Sequence, residues 1–331
     1  MDATTDTTNS SVSEVFWDTI IIGGGAAGLS AGVVLARAQF ATLVVDGGPP
    51  RNASADHMHG YLTRDGMSPS EFIAAGKAEF TAYGGSLVQA SVVDAQRKPD
   101  GTLEMRLADG DTLRARSVLV ATGMTDGLPD VPGLSERWAS EVHHCPHCHG
   151  YEVRGKTIVV IGSTMAAVST HRAALLRRYS SSVTFCLNGI ELSDAERQRL
   201  TAYGVRLIDG CVTQVVTRTG TATRSLVGIE LDNGEIVPCE AIFVAPRPRP
   251  HDAILTALGV APVSGLLAVD AQGATDIPGV WAAGNVVNPR AQVIAAAGAG
   301  STAAISMTAW LLEQDLSAAV ARDGLDVGGV R

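Results

Sequence analysis

The sequence predicts an α/β protein of two Rossmann-like, three-layer domains, the second inserted into the first. Three observations carry that expectation. An apolar strand at Asp18–Ile22 runs straight into the glycine turn Gly23–Gly28 and an Ala-rich helical stretch. A start of the same kind recurs at Lys156–Gly162, followed by a helix at about Thr164–Arg178. Loops near Gly123–Gly133 and Pro246–Pro250 bracket that second unit, so the first unit and the C-terminal segment close into one domain around it. Strand–helix–strand units of this sort build parallel sheets of the dinucleotide-binding type. The expected divisions are a polar tail at 1–17, a discontinuous domain at 18–123 and 247–320, an inserted domain at 124–246 carrying Cys145 and Cys148, and a loose tail at 321–331.

The elements follow in order. Helix Leu29–Ala38 leads to strand Ala41–Val45, which ends at Asp46. A loop rich in Gly and Pro covers Gly47–Gly66, and a helix is expected over Pro69–Tyr83. Strands around Gly85–Asp94, Leu103–Leu107 and Thr112–Arg116 are parted by turns at Pro99-Asp100-Gly101 and Asp109-Gly110-Asp111. Ser117–Gly123 (SVLVATG) reads as a buried strand ending in Thr-Gly. The second unit supplies strands Thr157–Ile161, Ser182–Leu187, Val205–Leu207, Leu226–Leu231 and Ala241–Val244. Pro246-Arg247-Pro248-Arg249-Pro250 reads as a stiff linker that resists helix and sheet alike, because proline fixes φ and removes a donor. Asp276–Asn285 (DIPGVWAAGN) is a short strand between turns, and Gln292–Leu312 a long Ala/Gly-rich helix.

Composition narrows the function classes. The chain has 331 residues, of which 46% are hydrophobic and 18% charged, enough for two real cores in a soluble globular protein. A net charge of −9 argues against nucleic acid, whose phosphates need a cationic face. No uninterrupted apolar run approaches the roughly 20 residues of a membrane span, so no membrane partner is expected. Met1–Ser13 lacks the cationic start and apolar core of a secretory signal. A cytoplasmic location is therefore expected, where a Cys-x-x-Cys is more often redox-active or metal-binding than structural. Cys186, Cys211 and Cys239 stand alone in apolar or strand-like contexts and read as buried, inert thiols.

Gly23-Gly24-Gly25-Ala26-Ala27-Gly28 fits G-x-G-x-x-G between a strand and a helix. Gly23 permits the tight turn, Gly25 lets the backbone approach a pyrophosphate, and Gly28 lets helix and strand pack closely. The helix N-terminus offers free N–H groups to the phosphates. Asp46, at the end of the next strand, is placed to accept from an adenosine ribose.

The run His143-His144-Cys145-Pro146-His147-Cys148-His149 holds half of the eight histidines and two of the five cysteines. Its C-x-x-C-H pattern also marks haem c attachment, but that chemistry needs export. Zinc is open to it by ligand type, although structural zinc sites draw on two separated knuckles and every candidate here lies in one short stretch. A redox dithiol fits best, since neighbouring histidines can stabilise a thiolate or move its proton. No metal is expected.

The whole arrangement resembles the flavoprotein disulfide reductases of the low-molecular-weight thioredoxin reductase type, from about Asp18 to Leu312. The resemblance rests on GGGAAG at Gly23–Gly28, ATG at Ala121–Gly123, the Cys145–Cys148 pair, and GVWAAGN at Gly279–Asn285 before an Ala-rich helix. It implies FAD as cofactor. The residues it places at FAD are Gly23, Gly25, Ala26, Ala27, Gly28, Asp46, Gly47, Arg51, Val93, Ala121, Thr122, Gly123, Gly284, Asn285, Gln292 and Val293. It also implies a homodimer, and it turns Cys148 toward the flavin as the electron-donating thiolate, leaving Cys145 as the more accessible sulfur.

Three departures redirect the functional expectation. Thr164 stands in the second glycine loop (Gly162–Ala167) where close phosphate approach wants glycine. Asn188-Gly189-Ile190-Glu191 replaces the histidine-arginine run that holds the 2′-phosphate of NADPH. His149 replaces the aspartate after the second cysteine, and Asn285 the aspartate near the flavin. Together they resemble the dithiol oxidases of natural products such as gliotoxin and holomycin. The implied reaction takes a small-molecule dithiol to its intramolecular disulfide, electrons passing from Cys145–Cys148 through FAD to molecular oxygen and giving peroxide. His149 and His144 are the leading bases, His147 and His143 weaker ones. His57 and His59 read as a solvated loop. The competing readings are an NADPH- or ferredoxin-dependent thioredoxin reductase, and a flavin- or zinc-binding protein of sensing or assembly.

Overall fold

The computed structural model describes residues 12–218, 225–263 and 266–323. β1 (Phe16–Ile22) drives Ile20, Ile21 and Ile22 into the core and is followed at once by α1 (Ala26–Arg37). β2 (Thr42–Asp46), α2 (Pro69–Ala82), β3 (Ser86–Gln89), β4 (Val92–Arg97), β5 (Leu103–Leu107) and β6 (Thr112–Val120) continue this half. The Ser68 hydroxyl accepts from the Glu71 N–H while the Glu71 carboxylate accepts from the Ser68 N–H, a reciprocal cap that starts α2 at Pro69. The sheet runs β3-β2-β1-β6-β5-β4, parallel as far as β6 and antiparallel beyond it. Alternation along β1 makes the layers. Ile20 and Ile22 join one apolar cluster, whereas Ile21 joins the other, under α1.

The chain then passes through β7 (Met124–Gly127), β8 (Val142–His143), α3 (Pro146–His149), β9 (Ile158–Ile161), α4 (Ala166–Leu176), β10 (Val183–Cys186), α5 (Asp194–Ala202) and β11 (Arg206–Ile208). β12 (Val212–Arg218), β13 (Ser225–Leu231), β14 (Ile236–Pro238) and β15 (Ala241–Val244) follow. β11-β10-β9-β15-β8 form an all-parallel sheet. Val159 and Ile161 of β9 pack against the antiparallel β12-β13-β14 layer, and Ile158 and Val160 pack against α4.

The return path holds β16 (Arg247–Pro250), α6 (Ala253–Ala257), β17 (Pro262–Val263), β18 (Leu266–Leu267), β19 (Val280–Ala282) and α7 (Val293–Asp323). β19 pairs in parallel with Val118–Val120 of β6, so the C-terminal segment rejoins the first sheet.

Five sequence expectations change. Pro246–Pro250 is no free linker. Arg247–Pro250 pairs antiparallel with Met124–Gly127 as a two-stranded ribbon between the sheets, where each proline can leave its missing donor on the unpaired edge. The segment expected as one strand over Gly85–Asp94 is two, β3 and β4, at opposite edges of the sheet. Of the polar tail expected at 1–17, residues 1–11 lie outside the described residues, while Val12 is buried and accepts from Trp17 Nε1 at 3.1 Å. α7 runs past Leu312 to Asp323, beyond which the expected tail is outside the described residues. By length and composition α7 could cross a membrane, yet Ala303, Ala304, Met307 and Leu311 on it are buried in the core under α1. Cys186 and Cys239 are buried, and burial pushes their thiols up to about 11 and about 12. Cys211 is exposed, because it sits in the turn entering β12 rather than in a strand.

Candidate active site

The carboxyl ends of β1, β2, β6 and β19 meet, with Ile22 in register with Val45 and Val120, and Val120 with Ala282. Gly23 takes φ +109°, and a Cβ there would lie 2.4 Å from the Ala121 carbonyl oxygen. A Cβ at Gly28 would lie 1.9 Å from the Gly23 oxygen, so strand and helix touch only through glycine. Gly25 differs: it caps α1 with extended backbone, and a Cβ there would meet nothing within 4 Å. That open cradle at a helix N-terminus, with Ala26 and Ala27 in its first turn, is what a pyrophosphate needs. Gly284 (φ +81°) packs its backbone against Ala27 and closes the far side.

Asp46 is 6% exposed and accepts from the Gly24 N–H at 3.1 Å. Lys77 of α2 donates to its other oxygen at 2.9 Å, a partner no local pattern in the sequence signals. Gly47 follows it under Ser91, and Gly123 (φ +70°) follows Thr122, whose hydroxyl donates to the His251 carbonyl at 2.7 Å. His251 also contacts Thr125 through Nε2 at 2.6 Å, so it ties β7 to the returning chain.

Other predicted cofactor residues are placed differently. Arg51 makes two 2.7 Å bonds to Asp126 of β7 and one of 3.1 Å to the Pro289 carbonyl. Its charge thus clasps the inter-sheet ribbon. Val93 lies on the edge strand β4 with its side chain 48% exposed, beside a register shift. Asn285 Nδ2 donates to the carbonyls of Asn288 (3.0 Å) and Ala291 (2.9 Å), bracing the loop that launches α7 at Val293. Gln292, just before it, directs its amide to Cys148 Sγ at 3.8 Å.

Cys145 caps the four-residue α3 and Cys148 lies within it, their sulfurs 2.6 Å apart. Both are half-buried, so exposure does not single out Cys145 as expected. Charge does. The Cys148 thiol donates to Cys145, whose thiol drops to about 6 through that bond, the Cys148 and His147 amides and the charge of His147, against burial. The same bond, burial and the Cys145 charge push Cys148 far up. In the reduced pair the shared hydrogen bond and burial favour charge on Cys145 and the proton on Cys148. Cys148 is nonetheless the sulfur facing the start of α7.

Burial disfavours the charged form of three of the histidines, His143, His144 and His149. His143, 5% exposed, falls to about 3 through burial and the charges of His149, His144 and Lys156. Its ring stacks on His149 at 4.5 Å and tilts against Phe243. His144 stacks on Trp138 and falls to about 4 through desolvation, with Asp126 opposing. Desolvation also lowers His149, against the Glu152 carboxylate. No three His, Cys, Asp or Glu side chains converge as a metal site among the described residues. His59 corrects the expectation of a solvated loop. It reaches Asp65 at 3.3 Å and Glu152 at 3.5 Å, joining the loop after β2 to the turn after α3. His57 contacts only its own loop, at the Gly66 carbonyl.

The second glycine loop is closed by its own side chains. Asn188 lies two residues after β10, and Leu187 holds the register position that Asp46 has at the end of β2. Asn188 Nδ2 donates to the Gly162 carbonyl and its Oδ1 accepts from the Val212 N–H, both at 2.9 Å. Ser163 Oγ accepts from the Met165 N–H at 3.3 Å, and Thr164 is exposed on the loop. Glu191 and Arg197 line the groove beyond β10, and Arg197 is already paired with Asp209 at 2.8 Å.

A model of the pyridine nucleotide-disulphide oxidoreductase family matches residues 17–300. The chain belongs to that family. Thioredoxin reductase sirT of Leptosphaeria maculans is 30% identical over 325 residues, which cover 91% of this chain and 96% of that protein. An alkyl hydroperoxide reductase protein of Xanthomonas campestris pv. phaseoli is 29% identical over 313 residues, 88% of this chain, and the chain spans 56% of its length. The solved structure of HlmI matches with a TM-score of 0.89 at 41% identity, over 95% of this chain and 98% of that one. An oxidoreductase from Agrobacterium tumefaciens matches with a TM-score of 0.82 at 32% identity, over 90% and 99%. As a pyridine nucleotide-disulphide oxidoreductase the chain is a flavoprotein acting on sulfur, with FAD as cofactor. The open cradle at Gly25, the bracing of Gly24 by Asp46 and the start of α7 fit that cofactor.

Proposed function

We propose that the chain is a dithiol oxidase that forms an intramolecular disulfide in a small-molecule, natural-product dithiol: R(SH)2 + O2 → RS2 + H2O2. The observation that carries the reading is the closed second nucleotide loop, where Asn188 bonds back to Gly162 and Glu191 faces the groove. FAD, when bound, supplies the two-electron acceptor that restores the cysteine disulfide and passes the electrons to molecular oxygen. The chain's own residues do the rest. Neutral His149, or His144 behind it, takes a proton from a substrate thiol. The substrate sulfur attacks Cys145 of the Cys145–Cys148 disulfide, and Cys148 leaves beside the Gln292 amide. The second substrate thiol attacks the mixed disulfide at the substrate sulfur and expels Cys145. A thiol of low pKa leaves readily, and Cys145 is built as one.

A homodimer in the cytoplasm accompanies this reading. Exposed Ile305, Leu312 and Leu316 on α7 support a partner copy. The second reading, an NADPH- or ferredoxin-dependent thioredoxin reductase, is favoured by the names of relatives such as sirT. Anaerobic reduction separates the two. Bleaching of the flavin by dithiothreitol or reduced holomycin, with NADPH inert and oxygen consumed on re-aeration, is expected. Rapid bleaching by NADPH refutes the oxidase.

A further inference from the structure

The proposed reaction opens the disulfide with Cys148 as the leaving sulfur, and a buried sulfur leaves as a thiolate only where something stabilises its charge. Gln292 is in contact with it. Its Nε2 donates to Cys148 Sγ at 3.8 Å, across 144 positions of sequence. The backbone behind that side chain is fixed. The Gln292 carbonyl accepts from the Ala296 N–H at 2.8 Å, so the residue caps α7. Asn285 Nδ2 holds the preceding carbonyl, that of Ala291, at 2.9 Å.

The other end of the carboxamide lies toward the loop after β2, where a Cβ added to Gly60 would sit 3.8 Å from Gln292 Oε1. That loop is closed on itself. The Met58 N–H donates to the Met67 carbonyl and the Gly66 N–H to the Met58 carbonyl, both at 2.9 Å. His59 ties it to Glu152, in the turn after α3, at 3.5 Å. With its oxygen on the Gly60 side, the carboxamide presents its N–H2 end to the sulfur. An amide N–H stabilises a thiolate, whereas an amide oxygen repels one. In the reduced pair the bond to Cys145, burial and the Cys145 charge keep the proton on Cys148. Once Cys145 carries an incoming sulfur, that bond and that charge are gone, and the Gln292 contact remains. We infer that Gln292 is a catalytic residue of disulfide opening: its carboxamide donates to Cys148 as that sulfur leaves, and so directs the incoming thiolate to Cys145. A bond forms between the incoming sulfur and Cys145 Sγ, the Cys145–Cys148 bond breaks, and its electron pair goes to Cys148. The assignment rests on the proposed function for the pair being redox-active, and not on the electron acceptor.

The test uses a monothiol, so neither oxygen nor a natural-product dithiol enters it. Oxidised, flavin-loaded protein is mixed anaerobically with mercaptoethanol and quenched in acid at early times. Free thiols are then blocked with N-ethylmaleimide and both labels are mapped by tandem mass spectrometry. The parent carries mercaptoethanol on Cys145 and maleimide on Cys148. Gln292→Met, of similar length and without a donor, lowers the ratio of Cys145 to Cys148 adducts about tenfold, near the lower end of a hydrogen bond to a charged group. Gln292→Glu keeps the shape but turns an acceptor toward the sulfur, so the ratio falls at least as far; a packing role would spare it. Gln292→Leu replaces the Met variant should that one fail to load flavin. A ratio equal to the parent's in the donorless variant, or in Gln292→Glu, overturns the assignment alone. A parent that forms no adduct overturns the proposed reaction with it.

Discussion

Reduced protein treated with a limiting amount of iodoacetamide should be modified at Cys145 and not at Cys148. With its thiol lowered from 9.0 to about 6, Cys145 is mostly thiolate at pH 7. An ordinary thiol at that pH is only about 1% ionised, a difference of roughly 90-fold. A less basic thiolate is a weaker nucleophile, and a Brønsted slope of about 0.4–0.5 over that shift takes back roughly 20-fold. The net rate at pH 7 is about fourfold above a free cysteine peptide. At pH 5.5 the ionisation ratio grows to roughly 800-fold and the net advantage to about 40-fold. The sign follows from the direction of the shift: a lowered thiol keeps its charge until pH falls through about 6, below which its absolute rate falls while its ratio to the free peptide levels off. Stopped-time alkylation with peptide mapping measures it, with Cys211 scored separately because it is exposed. Modification of Cys148 first, or a Cys145 rate at pH 5.5 equal to that of the free peptide, would refute the charge assignment.

The glycine loop and the proposed base give three further outcomes. Gly28→Ala puts a carbon 1.9 Å from the Gly23 oxygen and should destabilise the fold by about 1–3 kcal/mol. Gly25→Ala meets no protein atom, so its melting temperature without flavin should hold while the flavin-to-protein ratio falls at least about tenfold. Retention of flavin by Gly25→Ala would show that the cradle is not the pyrophosphate site. His149→Gln should lower dithiol turnover by about 100-fold, in the range of a lost general base, with flavin content unchanged. Unchanged turnover would transfer the role to His144.

Much of this was legible from one chain because it is local. Gly23, Gly25 and Gly28 act within one turn, Asp46 ends the next strand, and Cys145 and Cys148 are one helical turn apart. The misread segments depend on distant partners. Arg247–Pro250 is a strand only because Met124–Gly127 lies beside it, and Arg51 finds its carboxylate partner in Asp126, 75 positions on. His59 meets Glu152 across the two halves of the molecule.

By itself the sequence determined the paired Rossmann architecture, the glycine turn at Gly23–Gly28 and the close spacing of Cys145 and Cys148, since backbone sterics and short spacings need no tertiary partner. Only the tertiary structure decided how the two sulfurs share a hydrogen bond and how the second glycine loop is held by Asn188. Those depend on desolvation and on groups brought together from separate elements, as Gln292 reaches Cys148 and Asn188 meets the Gly162 carbonyl. Electrostatic energy depends on distance and burial in space, neither of which is written in residue order.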